Sequence, residues 1–162
     1  MILNSYNSGV FNDNMTSDDI NSYTNEYISF DVNDNWQSID NHETSFDCIY
    51  EYDSSLYARF ALQVNKFDGQ SLSKSVDVFL SDYELKNYKE VSTDSICFNG
   101  INATEIISLY KTNITDIKVS SITWAGGNND VVIYTITIEA DETIFDEVHN
   151  DVMNILETFK VN

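Results

Sequence analysis

Asp31, Asn33 and Asn35 are the closest that this chain comes to a ligand-binding motif, because they alternate like the oxygen ligands of an EF-hand calcium loop. That loop needs Gly at its sixth position, for a sharp turn, and Glu at its twelfth, as a bidentate ligand. Trp36 and His42 occupy those positions here. Since the mismatches fall on the positions that set the geometry, we interpret the segment as a turn after a strand. We predict no metal site there and place Trp36 in the core.

The histidines and cysteines give no catalytic or metal-binding pattern. His42 and His149 have no partner at a familiar metal spacing, and each is interpreted as a boundary residue. A catalytic cysteine would need a histidine and an orienting group nearby, and neither Cys48 nor Cys97 has such a signature. A disulfide between them would contribute roughly 4 kcal/mol in the chain-entropy model. Because Cys48 falls on an aromatic strand face and the alternation around Cys97 lets it point the other way, we predict two free cysteines.

Other motifs either are absent or depend on the compartment. The chain has no G-x-S-x-G, no P-loop and no G-x-G-x-x-G, and its carboxylates are scattered rather than paired. We therefore predict no catalytic residue and no cofactor. Three N-glycosylation sequons begin at Asn14, Asn102 and Asn113, and they matter only if the chain is exported.

Charge excludes some classes of partner. The chain carries 27 acidic and 8 basic residues, for a net charge of −19, and Arg59 is the first basic residue and the only arginine. Nucleic acid and anionic lipid surfaces both require clustered Lys or Arg, so neither is expected as a partner. Strong acidity favours either a solvated surface or a basic partner. No apolar run reaches the ~18 residues of a transmembrane helix, and no signal-peptide pattern is present.

The elements that would position these residues are organised around Ile117–Ile138, two β-branched and aromatic runs joined by Gly126-Gly127-Asn128-Asn129. The linking residues suit the positive φ of a tight hairpin turn. Both faces of the two runs carry apolar side chains, so we expect both faces to be covered. Further strands are predicted at Tyr27–Val32, Ser45–Tyr52, Leu56–Lys66, the end of Tyr88–Phe98, and Ile101–Thr112, with a hairpin turn at Asn99-Gly100.

Two helices and a leader complete the prediction. Ser71–Lys86 has apolar residues at helical spacing, and so does the segment from about Glu142 to Phe159. We expect Asp141 to cap the last helix and Lys160 to complement its negative end. Residues 1–25 are rich in Asn, Ser, Asp and Thr and are predicted to form a disordered polar leader, followed by a single domain over 26–162.

This order of elements resembles the PsbP-like family, whose α/β/α sandwich also occurs in a yeast nuclear-import factor that binds the Ran GTPase. The resemblance lies in residues 27–36 (YISFDVNDNW), 98–106 (FNGINATEI), 125–140 (AGGNNDVVIYTITIEA) and 146–161 (DEVHNDVMNILETFKV). It implies an α+β fold with a central antiparallel sheet of about seven strands, in the order βββαββββα. It also implies a binding or assembly module rather than an enzyme, since family members are mostly non-enzymatic and often extracytoplasmic.

Three functional hypotheses follow from these patterns. The first is a non-enzymatic binding or scaffold domain displayed on the extracytoplasmic side of a membrane, with a protein partner favoured over a small molecule. The second is an intracellular adaptor that binds a basic protein through its acidic surface. The third, and least favoured, is an enzyme that uses an unrecognised carboxylate or Cys48, since one fold can host different functions.

Overall fold

The computed structural model describes residues 21–39, 46–66, 89–126 and 132–162, which contain ten strands and one helix. The strands are β1 (Asn21–Thr24), β2 (Ile28–Val32), β3 (Trp36–Ser38), β4 (Cys48–Tyr52), β5 (Ala58–Lys66), β6 (Lys89–Phe98), β7 (Ile101–Lys111), β8 (Asp116–Gly126), β9 (Val132–Asp141) and β10 (Lys160–Val161). Helix α1 (Phe145–Leu156) lies between β9 and β10. The predicted helix Ser71–Lys86 lies outside the described residues.

The described strands form two sheets in which every pairing is antiparallel. The large sheet has seven strands in the order β3-β4-β5-β9-β8-β7-β6, and the small sheet has three in the order β1-β2-β10. The predicted central hairpin is β8–β9, paired continuously from Ile117 opposite Asp141 to Gly126 opposite Val132. Long strands with alternating β-branched side chains favour this pairing because such side chains pack well on a pleated surface. The prediction of a seven-stranded antiparallel sheet is confirmed.

The core lies between one face of the large sheet, α1 and the small sheet. We call this face the helix face, and the opposite one the far face. The predicted apolar stripe of the last helix is buried in full, comprising Phe145, Val148, Val152, Ile155, Leu156 and Phe159. On the helix face it packs with the side chains of Phe60, Ile136 and Ile138. Val119 and Ile133, which project from the far face, are also buried, so both faces of the central hairpin are covered as predicted.

Two parts of the sequence prediction are corrected in the sheets. The first predicted strand, β2, belongs to the small sheet, and the short strand β3 that begins at Trp36 takes the outer position in the large sheet. The predicted leader extended to residue 25, but Asn21–Thr24 forms β1 and pairs with β2. Tyr23 explains this, since its ring stacks on Phe30 at 5.0 Å between centroids, an apolar contact that the polar composition of the segment concealed.

The last helix begins later than predicted, and Asp141 does not cap it. The residue preceding the helix is Ile144, which provides no side-chain cap. Asp141 is the last residue of β9, and its Oδ1 accepts hydrogen bonds from the backbone N–H and the hydroxyl of Thr143 in the turn before α1. Lys160 lies in β10 rather than in the last helical turn. Asp146 and Glu147 do lie in the first turn, where they complement the positive end of the helix dipole.

Strand ends also differ from the sequence pattern. β5 begins at Ala58 rather than Leu56, because the backbone N–H of Leu56 is held in a turn by the hydroxyl of Ser54. β6 occupies all of Lys89–Phe98, with an irregularity between Lys89 and Ser92 that disrupted the alternation on which the prediction rested. In the described part of the chain, no helix has the length and apolar character needed to cross a bilayer.

Candidate functional site

The β4–β5, β7–β8 and β9–α1 connections meet at one end of the large sheet and form a cleft there. The β4–β5 connection reaches the end of β9 through the carbonyl of Tyr57, which accepts a hydrogen bond of 2.8 Å from the N–H of Asp141. The start of β8 is fixed to the segment after β9, since the N–H of Glu142 donates to the carbonyl of Asp116 at 2.9 Å. These backbone bonds join the ends of β5, β8 and β9, and β7 is joined to β8 as far as Lys111 opposite Asp116.

The cleft has a volume of about 400 Å³ and opens on the far face of the sheet. Its wall is largely apolar, with a few polar groups. The lining residues are Tyr57, Tyr110, Thr112, Thr115, Ile117, Val119 and Glu139. We refer to this feature as the cleft throughout.

Glu139 is the charged group of the cleft. Its Oε2 accepts a hydrogen bond of 2.6 Å from the Tyr57 hydroxyl and one of 2.8 Å from Arg59 Nε. Burial, followed by the hydrogen bond and charge of Glu139, raises the pKa of the Tyr57 phenol, which therefore stays a neutral donor. The Glu139 side chain retains 22% of its exposure, and among the described residues its Oε1 accepts no hydrogen bond. The cleft therefore offers a partly solvated acceptor to an incoming cation or N–H donor.

The rim of the cleft exposes large apolar side chains. Tyr57 and Tyr110 are 45% and 42% exposed, and Ile114, in the loop between two lining threonines, is 96% exposed. The hydroxyl of Thr112 accepts hydrogen bonds from the N–H groups of Ile114 and Thr115, so the loop that presents Ile114 is internally braced. A concentration of exposed apolar surface around a polar group is typical of an interaction site.

A second polar cluster is buried between the helix face and α1. Glu105 of β7 is 6% exposed, and its Oε1 accepts hydrogen bonds from the Ser120 hydroxyl at 2.5 Å and from His149 Nε2 at 2.6 Å. Burial alone would raise the pKa of Glu105, but the hydrogen bonds from His149 and Ser120 and the charges of His149 and Lys118 outweigh it and lower the pKa. The cluster therefore holds a buried carboxylate in its ionised form.

The geometry of this cluster differs from that of a hydrolase triad. In a triad, the histidine bonds to the serine and the carboxylate bonds only to the histidine. Here, both Ser120 and His149 donate to the same oxygen of Glu105, so the histidine makes its bond to the acid and not to the hydroxyl. Glu105 is itself a base, but its lowered pKa makes it a weak acceptor for the serine proton, and Ser120 is 0% exposed. The cluster thus joins α1 to the sheet and offers no accessible nucleophile.

The calcium-like segment serves as a structural clamp. The side-chain amide of Asn33 and the indole N–H of Trp36 donate to the two oxygens of Asp151 on α1, each at 2.8 Å. The side-chain Oδ1 of Asn33 accepts a hydrogen bond of 3.0 Å from the backbone N–H of Asn35, which closes a turn. The Trp36 side chain is 3% exposed. The predictions of a turn and of a core tryptophan are confirmed. His42 lies outside the described residues, and within those residues no group of three or more His, Cys, Asp or Glu could hold a metal ion.

The remaining predicted residues lie apart from one another. Cys48 is buried and Cys97 exposed, and both are free, as predicted. Asn102 is exposed on β7, and Asn113 is exposed in the loop beside the cleft, next to Ile114. Asn14 lies outside the described residues. Glycosylation at all three stays a prediction that depends on export.

Sequence reasoning does not reveal the cleft, because Tyr57 and Tyr110 lie near the ends of predicted strands and the strand pattern does not show which side chains are exposed. One local signal was available. Ile114 is a large apolar residue inside a polar run, Lys111–Asp116, that separates two strands. A loop isoleucine in such a setting has no core to enter, and its exposure favours a role in contact with a partner.

No family model matches the chain, and no curated protein matches it in sequence. Several solved structures are similar to it in fold. LpqN of Mycobacterium tuberculosis, a protein involved in cell envelope biogenesis, has a TM-score of 0.62 at 14% identity, covering 90% of this chain and 87% of its own. Cyanobacterial PsbP (CyanoP) of Synechocystis sp. PCC 6803 has a TM-score of 0.61 at 10% identity, covering 95% and 98%.

The Ran-binding protein Mog1p of Saccharomyces cerevisiae has a TM-score of 0.59 at 9% identity, covering 90% of this chain and 96% of its own. The chain therefore has the PsbP- and Mog1-like α+β fold that the order of elements predicted. At such identities the likeness establishes the fold alone, and function has to be argued from the surface of this chain.

Proposed function

We propose that this chain is a non-enzymatic binding domain that holds a basic segment of a protein partner in the cleft. The observation that carries the proposal is the arrangement of exposed Tyr57, Tyr110 and Ile114 around the carboxylate of Glu139. Aromatic side chains at an interface contribute large contact areas, and tyrosine is enriched among the residues that dominate binding energy. The arrangement offers contact area and a charge, with no activated nucleophile.

Charge supports a basic partner. The carboxylates at this end of the sheet belong to Glu51, Asp116, Glu139 and Glu142. Among the described residues, the basic groups at the same end are Arg59, bonded to Glu139 at 2.8 Å, Lys111, 3.9 Å from Asp116, Lys118, 3.6 Å from Asp146, and Lys89, opposite Leu109. Three of these four lie beside a carboxylate, and the whole chain carries −19. Such a field attracts a cationic segment and speeds its encounter with the cleft.

A protein segment fits the cleft better than a small molecule does. Pockets for small molecules bury most of the ligand surface. Here the two tyrosines at the rim keep more than two fifths of their exposure, and Ile114 projects almost wholly into solvent. An apolar side chain of the partner would enter between Tyr57 and Tyr110, with a flanking lysine or arginine reaching Glu139. Mog1p, a Ran-binding protein, is one example of a protein of this fold with a protein ligand.

We propose that this domain acts on the extracytoplasmic side of a membrane, and the involvement of LpqN in cell envelope biogenesis is compatible with this location. The alternative is an intracellular adaptor with the same cleft and a basic partner, which the acidic surface supports equally. Intact mass of the protein recovered from separated cell fractions distinguishes the two. Glycan or lipid mass in the membrane fraction supports display, and an unmodified mass in the cytosol supports the adaptor.

The binding test begins by replacing Ile114 with a photocrosslinking residue and identifying the crosslinked protein. Binding of that purified protein is then measured for Ile114→Ala, Tyr110→Ala and the matched control Val161→Ala, another exposed apolar side chain, located in the small sheet. We expect each cleft variant to weaken affinity by roughly 30-fold, the effect of losing about 2 kcal/mol at an interface hot spot. Val161→Ala should bind normally. Equal binding by all three variants would refute the cleft as the site.

A further inference from the structure

β6 lies at the edge of the large sheet, opposite the edge formed by β3, and has a single strand neighbour among the described residues, β7. It is ten residues long, and its side chains are exposed over most of its length. Long exposed edges usually carry devices that prevent pairing with other chains, such as bulges and charges. In β6 the irregularity is at the start, between Lys89 and Ser92, and the remainder carries one charged side chain, Asp94. The rest, Thr93–Phe98, is regular, and we call it the edge segment.

The turn at Asn99-Gly100 shows which backbone groups of the edge segment face away from β7. Asn99 has φ 44° and Gly100 φ 75°, and Phe98 pairs with Ile101 on either side of this two-residue loop. Such a type I′ hairpin makes its flanking residues a hydrogen-bonded pair. Since hydrogen-bonded and non-bonded pairs alternate, Ile96 and Asp94 also bond to β7.

It follows that the N–H and C=O groups of Thr93, Ser95 and Cys97 point outward from the sheet. Nothing in the described part of the chain bonds to them on that side. Buried backbone N–H and C=O groups need hydrogen-bond partners. The outward groups of these three residues are exposed instead, and they form an ordered row to which another strand can bond.

The side chains of these three residues leave room for an added strand. All three are small and uncharged, and they project on the far face beside a depression of about 390 Å³. The depression is lined by Ser95, Ile96, Cys97, Asn102, Ala103 and Thr104. Medium-sized side chains of an incoming strand could enter it. Asp94 and Ile96 project on the helix face, and the exposed Asp94 carboxylate would lie beside whatever residue pairs with it.

We infer that the edge segment is a second binding site, which takes an extended, basic segment of another protein by β-strand addition. The matching segment has a lysine or arginine opposite Asp94 and uncharged side chains on the face toward the depression. A second copy of this chain is disfavoured, because two chains of charge −19 repel each other and antiparallel pairing about Ser95 would bring both Asp94 carboxylates close. Main-chain bonds supply the affinity in this mode and alternate side chains supply the specificity.

The test uses a capped peptide of about eight residues that alternates lysine and valine, long enough to pair along the edge segment. Amide hydrogen exchange is followed by NMR. Without peptide, the amides of Thr93, Ser95 and Cys97 should exchange rapidly, since they lack a partner. With peptide, these three should become protected. The same peptide with alternate backbone nitrogens methylated, or with glutamate in place of lysine, should not protect them.

Ser95→Pro is the decisive variant, and Ser95→Ala is its matched control. Because the Ser95 N–H points away from β7, proline removes the outward donor without removing a ladder bond, which is the setting in which edge strands tolerate proline. Ser95→Pro should lose peptide binding and Ser95→Ala should keep it.

Any of three results would overturn the inference: no protection by the lysine–valine peptide, protection that survives Ser95→Pro, or protection that depends on protein concentration alone. The third would identify a second copy as the occupant. If Ser95→Pro does not fold, the methylated peptide decides the question, since it requires no change in the protein.

Discussion

Replacing Glu105 with glutamine tests how α1 is attached to the sheet. Glu105 is buried, and a single oxygen, Oε1, accepts both the Ser120 hydroxyl and His149 Nε2. Glutamine keeps the volume but has no charge. Its one carbonyl oxygen can replace the acceptor only as a neutral group, and its NH₂ adds donors where the neighbours already donate.

The magnitude follows from the two bonds that change. A hydrogen bond to a charged group contributes about 1.5–3 kcal/mol, and a neutral one about 1 kcal/mol. Converting two charge-assisted bonds into neutral ones therefore costs about 1–4 kcal/mol. The His149 side chain is 20% exposed and can take up water, which moderates the loss. We expect Glu105→Gln to lower the free energy of unfolding by about 2–3 kcal/mol.

The assay is urea unfolding near neutral pH, with Asp146→Asn as the matched control. Asp146 also lies on α1, but its side chain is 91% exposed and its only described ion pair, with Lys118, spans 3.6 Å. Removing a charge from such a surface pair, which also complements the helix dipole, should change the free energy of unfolding by about 1 kcal/mol or less. Both substitutions remove one negative charge from a chain of net charge −19. The difference between their losses of unfolding free energy therefore reports the effect of the buried carboxylate alone.

Acid titration gives an independent check with a definite sign. The pKa of Glu105 is lowered in the folded state, so the unfolded chain binds a proton first as the pH falls. The stabilisation from Glu105 is complete above its unfolded pKa, about 4.3, and is lost as the pH falls through the lower folded pKa. The wild-type advantage over Glu105→Gln should therefore shrink as the pH falls below about 4.3.

Two results would refute this reasoning. A Glu105→Gln variant as stable as Asp146→Asn would mean that the buried bonds contribute nothing net. A wild-type advantage that persisted unchanged below the unfolded pKa would mean that ionisation of Glu105 is not its source. A double-mutant cycle with His149→Gln then separates the share of the histidine from that of Ser120, because the two bonds end on one oxygen and are not additive.

Three further predictions concern single groups. Trp36→Phe should destabilise more than Trp124→Phe, by about 1–2 kcal/mol in urea unfolding, because Trp36 Nε1 donates to Asp151 whereas the buried Trp124 Nε1 has no hydrogen-bond partner among the described residues. Iodoacetamide should label Cys97 alone in the native protein, as read by intact mass, since Cys48 is buried and burial raises its pKa to about 12. Gly100→Ala should lower the free energy of unfolding by about 1 kcal/mol, seen as a lower Tm, because residue 100 has φ 75°, a conformation that alanine adopts only with strain. An added Cβ would meet no atom within 4 Å, so the loss comes from the backbone conformation alone.

The fold could be predicted because its largest elements follow simple periodicities. β8 and β9 alternate with a period of two, and the α1 stripe follows helical spacing, so both were identified from side-chain pattern alone. The short strands were missed for a physical reason. β1, β3 and β10 have two to four residues each, and pairing with neighbours distant in sequence, rather than local pattern, defines them.

The candidate sites were harder to predict because they depend on exposure, which a strand pattern does not reveal. Tyr110 continues the apolar alternation of β7 yet is 42% exposed, because β7 runs to the end of the sheet there. The buried link between Glu105 and His149 joins residues 44 apart in sequence and has no local signature. Asp151 has no local signature either, because it lies on α1 and accepts hydrogen bonds from Asn33 and Trp36, which are far from it in sequence.

The positions of the two proposed surfaces bear on whether this domain holds one partner or two. β7 connects them, because the edge segment lies opposite Ile101–Ile106 and Tyr110 lies in the cleft. At about 3.4 Å per residue, the near end of the edge segment, opposite Ile106, is roughly 14 Å from Tyr110, and the far end is roughly 30 Å away. Short segments bound at each surface can therefore lie side by side, and the paired strands between them form one continuous ladder. A domain that binds one protein at the cleft and another at the edge segment acts as a scaffold. In that case, occupying one surface should leave the affinity of the other unchanged, and competition between the two ligands would require that they share a surface.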